Sequence, residues 1–243
     1  DDWDLGEVER YEAIFGKYVQ RPDWWNAGGG AWGCYRSHVR ILEECLNRRQ
    51  TSCLFLEDDA RFCDGFVAKT REFLERLPSD WGFVYLGGQH LHARKHPPTN
   101  LGDGVFVPYN VNRTHAFAIR GTKNMVRVYK HLNDTKSWRS GQHIDHHLGR
   151  LHQRRDMPIY CPGEWLVAQG EGRSNISGRV NEEKIWNHAE DITKLPHPLT
   201  MLLGPHRCGS SCLAMMLHKL GVHLGNRFVG AEMARGGSGE AGG

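Results

Sequence analysis

Three short apolar runs set the frame of this chain: Cys53-Leu54-Phe55-Leu56, Phe83-Val84-Tyr85-Leu86 and Ala116-Phe117-Ala118-Ile119. Runs of this length read as buried strands. Between and around them, apolar residues recur at helical spacing. Val39, Leu42 and Leu46, joined by Ile41 and Cys45, predict a helix over about 37–48 with Ser37 as its N-cap. Phe66, Phe73, Leu74 and Leu77 predict a second helix that Pro78 closes, and a third runs over about 122–131. Such alternation at short intervals restricts the chain to a layered α/β sheet. Val105-Phe106-Val107 and Pro158-Ile159-Tyr160 add shorter strands, and Gly141-Gln142-His143-Ile144-Asp145 opens a short helix. Gly28-Gly29-Gly30 reads as a mobile loop. Residues 87–104, rich in His, Pro and Gly, read as a long loop, and loops of that length are either functional or disordered.

Glu57-Asp58-Asp59 stands directly behind the first of these runs. Acids at the carboxyl end of a strand sit where open α/β sheets bind ligands. Because strand side chains alternate, Glu57 and Asp59 can share one direction while Asp58 points the other way. Two hard oxygen donors facing a crevice suit Mg²⁺ or Mn²⁺ carrying a phosphorylated substrate. The plain alternative is an acidic turn.

Composition narrows the partners. A net charge of +3 over 243 residues, with no basic stripe interleaved with aromatics, argues against nucleic acid. No apolar stretch approaches membrane-span length, so no transmembrane segment is expected. The seven cysteines show neither a disulfide framework nor a CxxC pair, which favours a reducing, cytoplasmic setting. Triplets starting at Asn112, Asn133 and Asn175 match the glycosylation sequon, which matters only in a secreted protein.

The acidic triplet has company. Gly33-Cys34-x-x-Ser37-His38 precedes the first helix, and Leu56-Glu57-Asp58-Asp59-Ala60 follows about twenty residues later. Tyr85-Leu86-Gly87, Ala116-Phe117-Ala118-Ile119, Ile144-Asp145 and Gln169 come after in order. Over residues 30–180 this pattern resembles glycosyltransferase family 25, the lipopolysaccharide and collagen galactosyltransferase group. The resemblance implies a GT-A-like nucleotide-sugar fold with a mixed, mainly parallel sheet flanked by helices. It also implies a divalent cation, Mn²⁺ or Mg²⁺, and inverting transfer of a hexose from a UDP-sugar to a glycan or glycoconjugate acceptor. Carried onto this sequence, it makes Glu57 and Asp59 the metal ligands and Asp145 the general base. It makes His38, Asp58, Tyr85 and Gln169 donor-binding residues. One departure is that the strand and arginine-bearing loop with which the family normally opens are not found before Gly33.

Residues 1–195 read as this transferase-like domain and 196–243 as the start of another. There Gly204-Pro205-His206-Arg207-Cys208-Gly209-Ser210-Ser211 lies between an apolar run and a helix-like segment. It looks like the 5′-phosphosulfate loop of sulfotransferases, with Arg207, Gly209, Ser210 and Ser211 as phosphate-binding residues. Two other functions compete with sugar transfer. One is a non-catalytic nucleotide- or carbohydrate-binding remnant. The other is a zinc hydrolase using His143 and His146.

Overall fold

A computed structural model of the chain describes residues 8–174, 176 and 178–194, and the architecture is that of these residues. The phosphosulfate-like loop with Arg207, Gly209, Ser210 and Ser211 lies outside them.

Three segments predicted as strands become β1 (Ser52–Leu56), β3 (Phe83–Tyr85) and β8 (Ala116–Arg120). Between them run β2 (Ala60–Phe62), β4 (Gln89–His90), β5 (Thr99–Gly102), β6 (Val105–Val107) and β7 (Val111–Asn112). Beyond lie β9 (Ile159–Pro162), β10 (Val167–Gln169), β11 (Gly172–Arg173) and β12 (Val180–Asn181). The helices are α1 (Gly29–Asn47), α2 (Phe66–Arg76), α3 (Thr122–Asn133), α4 (Ile144–Gln153) and α5 (Ala189–Lys194). None of them is long and apolar enough to cross a membrane.

The main sheet runs β1-β8-β3-β9-β6-β5. The class is mixed α/β as expected, but the sheet is mainly antiparallel, not mainly parallel. β1–β8, β8–β3, β9–β6 and β6–β5 are antiparallel, and β3–β9 alone among these neighbours is parallel. An apolar run reveals that a strand is buried on both faces and says nothing of its direction. The stretch 87–104 is likewise not one long loop, because β4 pairs with β7 and β5 folds back on β6.

Strand alternation divides the core into two layers. Phe55, Phe83, Tyr85, Phe117 and Ile119 face α1, α3 and α4, where they meet Val39, Leu42, Met125, Val128 and Leu148. Val84, Leu86, Ala116, Ala118 and Tyr160 face the other way, toward Phe66 and Phe73 of α2. Each fully buried large side chain contributes roughly 1.5–3 kcal/mol of transfer free energy. Phe117 ties three strands together. Its ring lies nearly parallel to Phe55 at 4.7 Å and to Phe83 at 5.1 Å.

Helix α1 begins at Gly29 rather than near Ser37. The glycines predicted as a loop form its first turn, with Gly28 at the N-cap (φ 89°). Glycine disfavours helix by about 1 kcal/mol, but Ala31, Trp32 and Tyr35 are buried in the next turn. Tyr35 stacks on both Trp25 and Trp32, Trp32 packs tilted against Trp25, and together they help anchor this end of the helix. Gly33 then lets the preceding segment cross closely, since a Cβ there would lie 2.2 Å from the Ile14 carbonyl oxygen. Ser37 is no cap. Inside the helix its hydroxyl donates to the Gly33 carbonyl at 2.8 Å and accepts the Ile14 N–H at 2.9 Å.

Candidate active site

On the face of α1 turned toward the sheet, Cys34 and His38 sit one turn apart. The His38 ring lies parallel to Phe55 and Phe117, 6.3 and 6.1 Å away. Its Nδ1 is 2.9 Å from the Cys34 carbonyl oxygen, so that nitrogen carries the proton and donates. Nε2 then faces Glu57 Oε1 at 3.5 Å.

Glu57 follows β1, and its N–H donates to the His115 carbonyl at 3.0 Å, extending the β1–β8 ladder by one step. The chain then turns, with the Ala60 N–H donating to the Glu57 carbonyl at 3.1 Å. The acids therefore occupy a turn and not a continuing strand, and strict alternation of Glu57 and Asp59 does not apply. Asp58 at the tip is exposed. Glu57 Oε1 accepts a 2.6 Å hydrogen bond from the Thr114 hydroxyl. Burial pushes the Glu57 carboxyl up. His38 and the Thr114 bond pull it back, and the charges of Asp59 and Asp145 push it further up.

Asp59 is held from the other side of the turn. Gln169 of β10 donates through Nε2 to Asp59 Oδ2 at 2.9 Å, and the Gly170 N–H bonds the Asp59 carbonyl at 2.6 Å. The remaining carboxylate oxygen, Oδ1, is buried and has no hydrogen-bond partner among the described residues. Leaving such an oxygen unpaired costs free energy, so Oδ1 is open to a further partner.

Asp145 lies in the first turn of α4, where the helix dipole favours a negative charge. Its Oδ1 accepts the His146 N–H at 2.8 Å and stands 3.5 Å from His146 Nδ1. Burial raises the Cys34 thiol first, and the charges of Glu57 and Asp145 add to it; the Asp145 charge also pushes up the Glu57 carboxyl. The arrangement gathers one thiol, one imidazole and three carboxylates from α1, the β1–β2 turn and α4.

Comparison with known proteins bears on the stretch that holds α1 and the β1–β2 turn. Residues 20–138 match the family model of glycosyltransferase family 25 (LPS biosynthesis protein). This stretch is a glycosyltransferase family 25 domain. The chain is 30% identical over 94 residues to the inactive glycosyltransferase 25 family member 3 of Homo sapiens, covering 37% of this chain and 16% of that protein. It is 29% identical over 69 residues to procollagen galactosyltransferase 2 of Mus musculus, covering 27% and 11%. Procollagen galactosyltransferase 1 of Danio rerio is 30% identical over the same length, with the same shares. The chain thus spans 11–16% of the length of these relatives.

Within the family 25 domain and the segment behind it, His38 contacts Glu57 and Gln169 contacts Asp59. Asp145 acts on them through its charge. Tyr85 does not join them. It is 0% exposed in the core, its hydroxyl 2.5 Å from His152 Nε2. The glycine of the Tyr85-Leu86-Gly87 motif has a packing role, since a Cβ at Gly87 would lie 2.3 Å from both His115 Nε2 and the Val167 carbonyl.

The His143 and His146 rings stand 6.0 Å apart, and among the described residues neither belongs to a group of three close metal-ligand side chains. His147 turns inward and stacks between His131 and Trp138 at 4.1 and 4.0 Å, while His146 is exposed. Thr114 and Cys34 escaped the sequence reading as site residues. Cys34 could have been found from its i, i+4 spacing to His38. Thr114 had been read only as part of a sequon, yet Asn112 is buried and the Thr114 hydroxyl is engaged by Glu57.

Proposed function

We propose that the chain is a metal-dependent inverting glycosyltransferase that moves a hexose from a UDP-sugar to a glycan or glycoconjugate acceptor, on a GT-A-like version of the fold. The observation that carries this reading is the β1–β2 turn. It presents the half-buried Glu57 carboxylate, and it holds Asp59 by Gln169 with one buried oxygen unpartnered. That oxygen and the crowding of Glu57, Asp59 and Asp145 fit a divalent cation, because a positive ion offsets their mutual repulsion. Glu57 and Asp59 would hold Mn²⁺ or Mg²⁺. When bound, the ion neutralises charge developing on a diphosphate leaving group.

The chain's own groups do the rest. Gln169 orients Asp59, and Thr114 orients Glu57. Asp145 takes the proton of the acceptor hydroxyl, and His146 steadies its carboxylate. His38 and Asp58 stand at the margin for the donor. A reducing, cytoplasmic setting and a phosphosulfate-type anion site at Arg207 belong to the same proposal.

A non-catalytic, donor-binding remnant is the second reading, favoured because relatives from Homo sapiens and Mus musculus are themselves named inactive. UDP release from UDP-galactose and UDP-glucose with Mn²⁺ separates the two. Turnover that Asp145→Asn lowers at least a hundredfold supports transfer. Absence of turnover beside intact UDP binding supports the remnant.

A further inference from the structure

Cys34, His38 and Glu57 each offer a ligand atom, and these atoms lie within 4.8 Å of one another. Among the described residues this is the group of three so placed. His38 Nε2, the nitrogen left free by the Nδ1 bond, is 3.5 Å from Glu57 Oε1, and Cys34 Sγ reaches the same ring, 3.8 Å from its Nδ1. Sulfur, nitrogen and oxygen ligands at usual bond lengths around one tetrahedral zinc stand roughly 3.2–3.8 Å apart. The Nε2–Oε1 spacing already falls in this range, and the thiol closes the set by moving round the ring edge toward Nε2.

The elements favour the same outcome. Cys34 and His38 share one face of a helix clamped by the Gly33 crossing, and the imidazole is held against Phe55 and Phe117. The hydrogen bond from Nδ1 to the Cys34 carbonyl leaves the Nε2 lone pair free for a metal. It also sets the tautomer in the way that outer hydrogen bonds do for metal-bound histidines. Glu57 enters from the sheet, oriented by Thr114. A donor set that includes a thiolate selects against Mg²⁺ and Mn²⁺.

We propose that Cys34, His38 and Glu57 form a three-ligand site for one thiophilic divalent cation of the zinc class, with a fourth position open to water. The site stands apart from the donor reading in that it needs Cys34 and not Asp59. It shares Glu57 with that reading, so a soft ion bound here withdraws this carboxylate from a hard ion at Asp59.

Cobalt(II) is the probe, because its absorption reports both thiolate ligation and tetrahedral geometry. The reduced full chain takes up one equivalent with a thiolate-to-cobalt charge-transfer band that zinc displaces. Cys34→Ser abolishes the band, Cys63→Ser keeps it, and His38→Gln weakens cobalt binding at least tenfold. Asp59→Asn retains the band while losing Mn²⁺-dependent UDP binding, so failure of the donor site and failure of this site are told apart. No band, or one that survives Cys34→Ser, overturns the proposal. Should Cys34→Ser not fold, zinc must raise the thermal midpoint of the wild-type chain by several degrees and leave His38→Gln unmoved. An equal shift in both overturns it too.

Discussion

Gln169 donates its side-chain amide to Asp59 Oδ2 across 2.9 Å, joining two positions 110 residues apart. The bond comes from the β2–β10 pairing, in which Gln169 stands opposite Ala60. A separate two-stranded ribbon thus aims a carboxylate delivered by the main sheet. Removing it tests positioning apart from folding. A hydrogen bond to a charged group contributes about 1.5–3 kcal/mol, so Gln169→Ala is expected to weaken Mn²⁺-dependent UDP binding by at least tenfold. The thermal midpoint should fall by only a few degrees, and calorimetry with parallel melting checks both.

Gly33→Ala is expected to destabilise the fold by about 2 kcal/mol or more. The new Cβ would press 2.2 Å from the Ile14 carbonyl and 2.7 Å from the Gly16 nitrogen, both backbone atoms that no rotamer can move. Urea unfolding measures the loss. Because Cys34 and His38 follow on the same helix, cobalt uptake should weaken in the variant as well.

Acid should unfold this protein early. Burial lowers His90, His147 and His152 to about 3, and lowers His131 and His115 as well. His131 and His147 each bond through Nε2 to the other's carbonyl, and His147 Nδ1 has no partner to receive a second proton's N–H. These rings stay neutral in the folded state and become charged in the unfolded chain below about pH 6.5. Their contribution is present above that pH and is lost as pH falls from about 6.5 toward 3, at up to roughly 1.4 kcal/mol per unit for each ring. Glu57, pushed the opposite way, gains stability on acidification, but it is one carboxyl against several imidazoles. Urea midpoints at pH 7 and 5 should differ strongly, and equal midpoints would contradict the placement of these histidines.

Thr114→Val removes a hydroxyl that holds the Glu57 carboxyl down. Burial already raises that carboxyl, so cation binding should weaken as pH falls and Glu57 takes up its proton. The variant should shift this midpoint to higher pH, as titration of Mn²⁺ at several pH values would show. An unshifted midpoint would mean that Glu57 does not bind the ion.

Much of this was legible in the sequence, for reasons that differ by residue. The runs at Phe83 and Ala116 declared their strands because both faces are buried. Strand direction was not legible, since it depends on which strands neighbour in space. The start of α1 was hidden because tertiary packing of Trp32 and Tyr35 outweighs the local cost of Gly29 and Gly30. Glu57, Asp59 and Gln169 were found through motif order, and Gln169 meets Asp59 across the β2–β10 pairing. Tyr85 was misplaced because its motif marks a core ring and the close approach at Gly87. Thr114 had no local signal, because its role arises from the β1–β8 pairing.

The central claim is that the β1–β2 turn anchors a metal–diphosphate. Calorimetric titration of the full chain with UDP, with and without Mn²⁺, tests it most directly, using wild type, Glu57→Ala and Asp59→Asn. The account predicts binding that requires Mn²⁺ and is lost in both variants. Binding that is indifferent to Mn²⁺, or that survives Asp59→Asn unchanged, would contradict it.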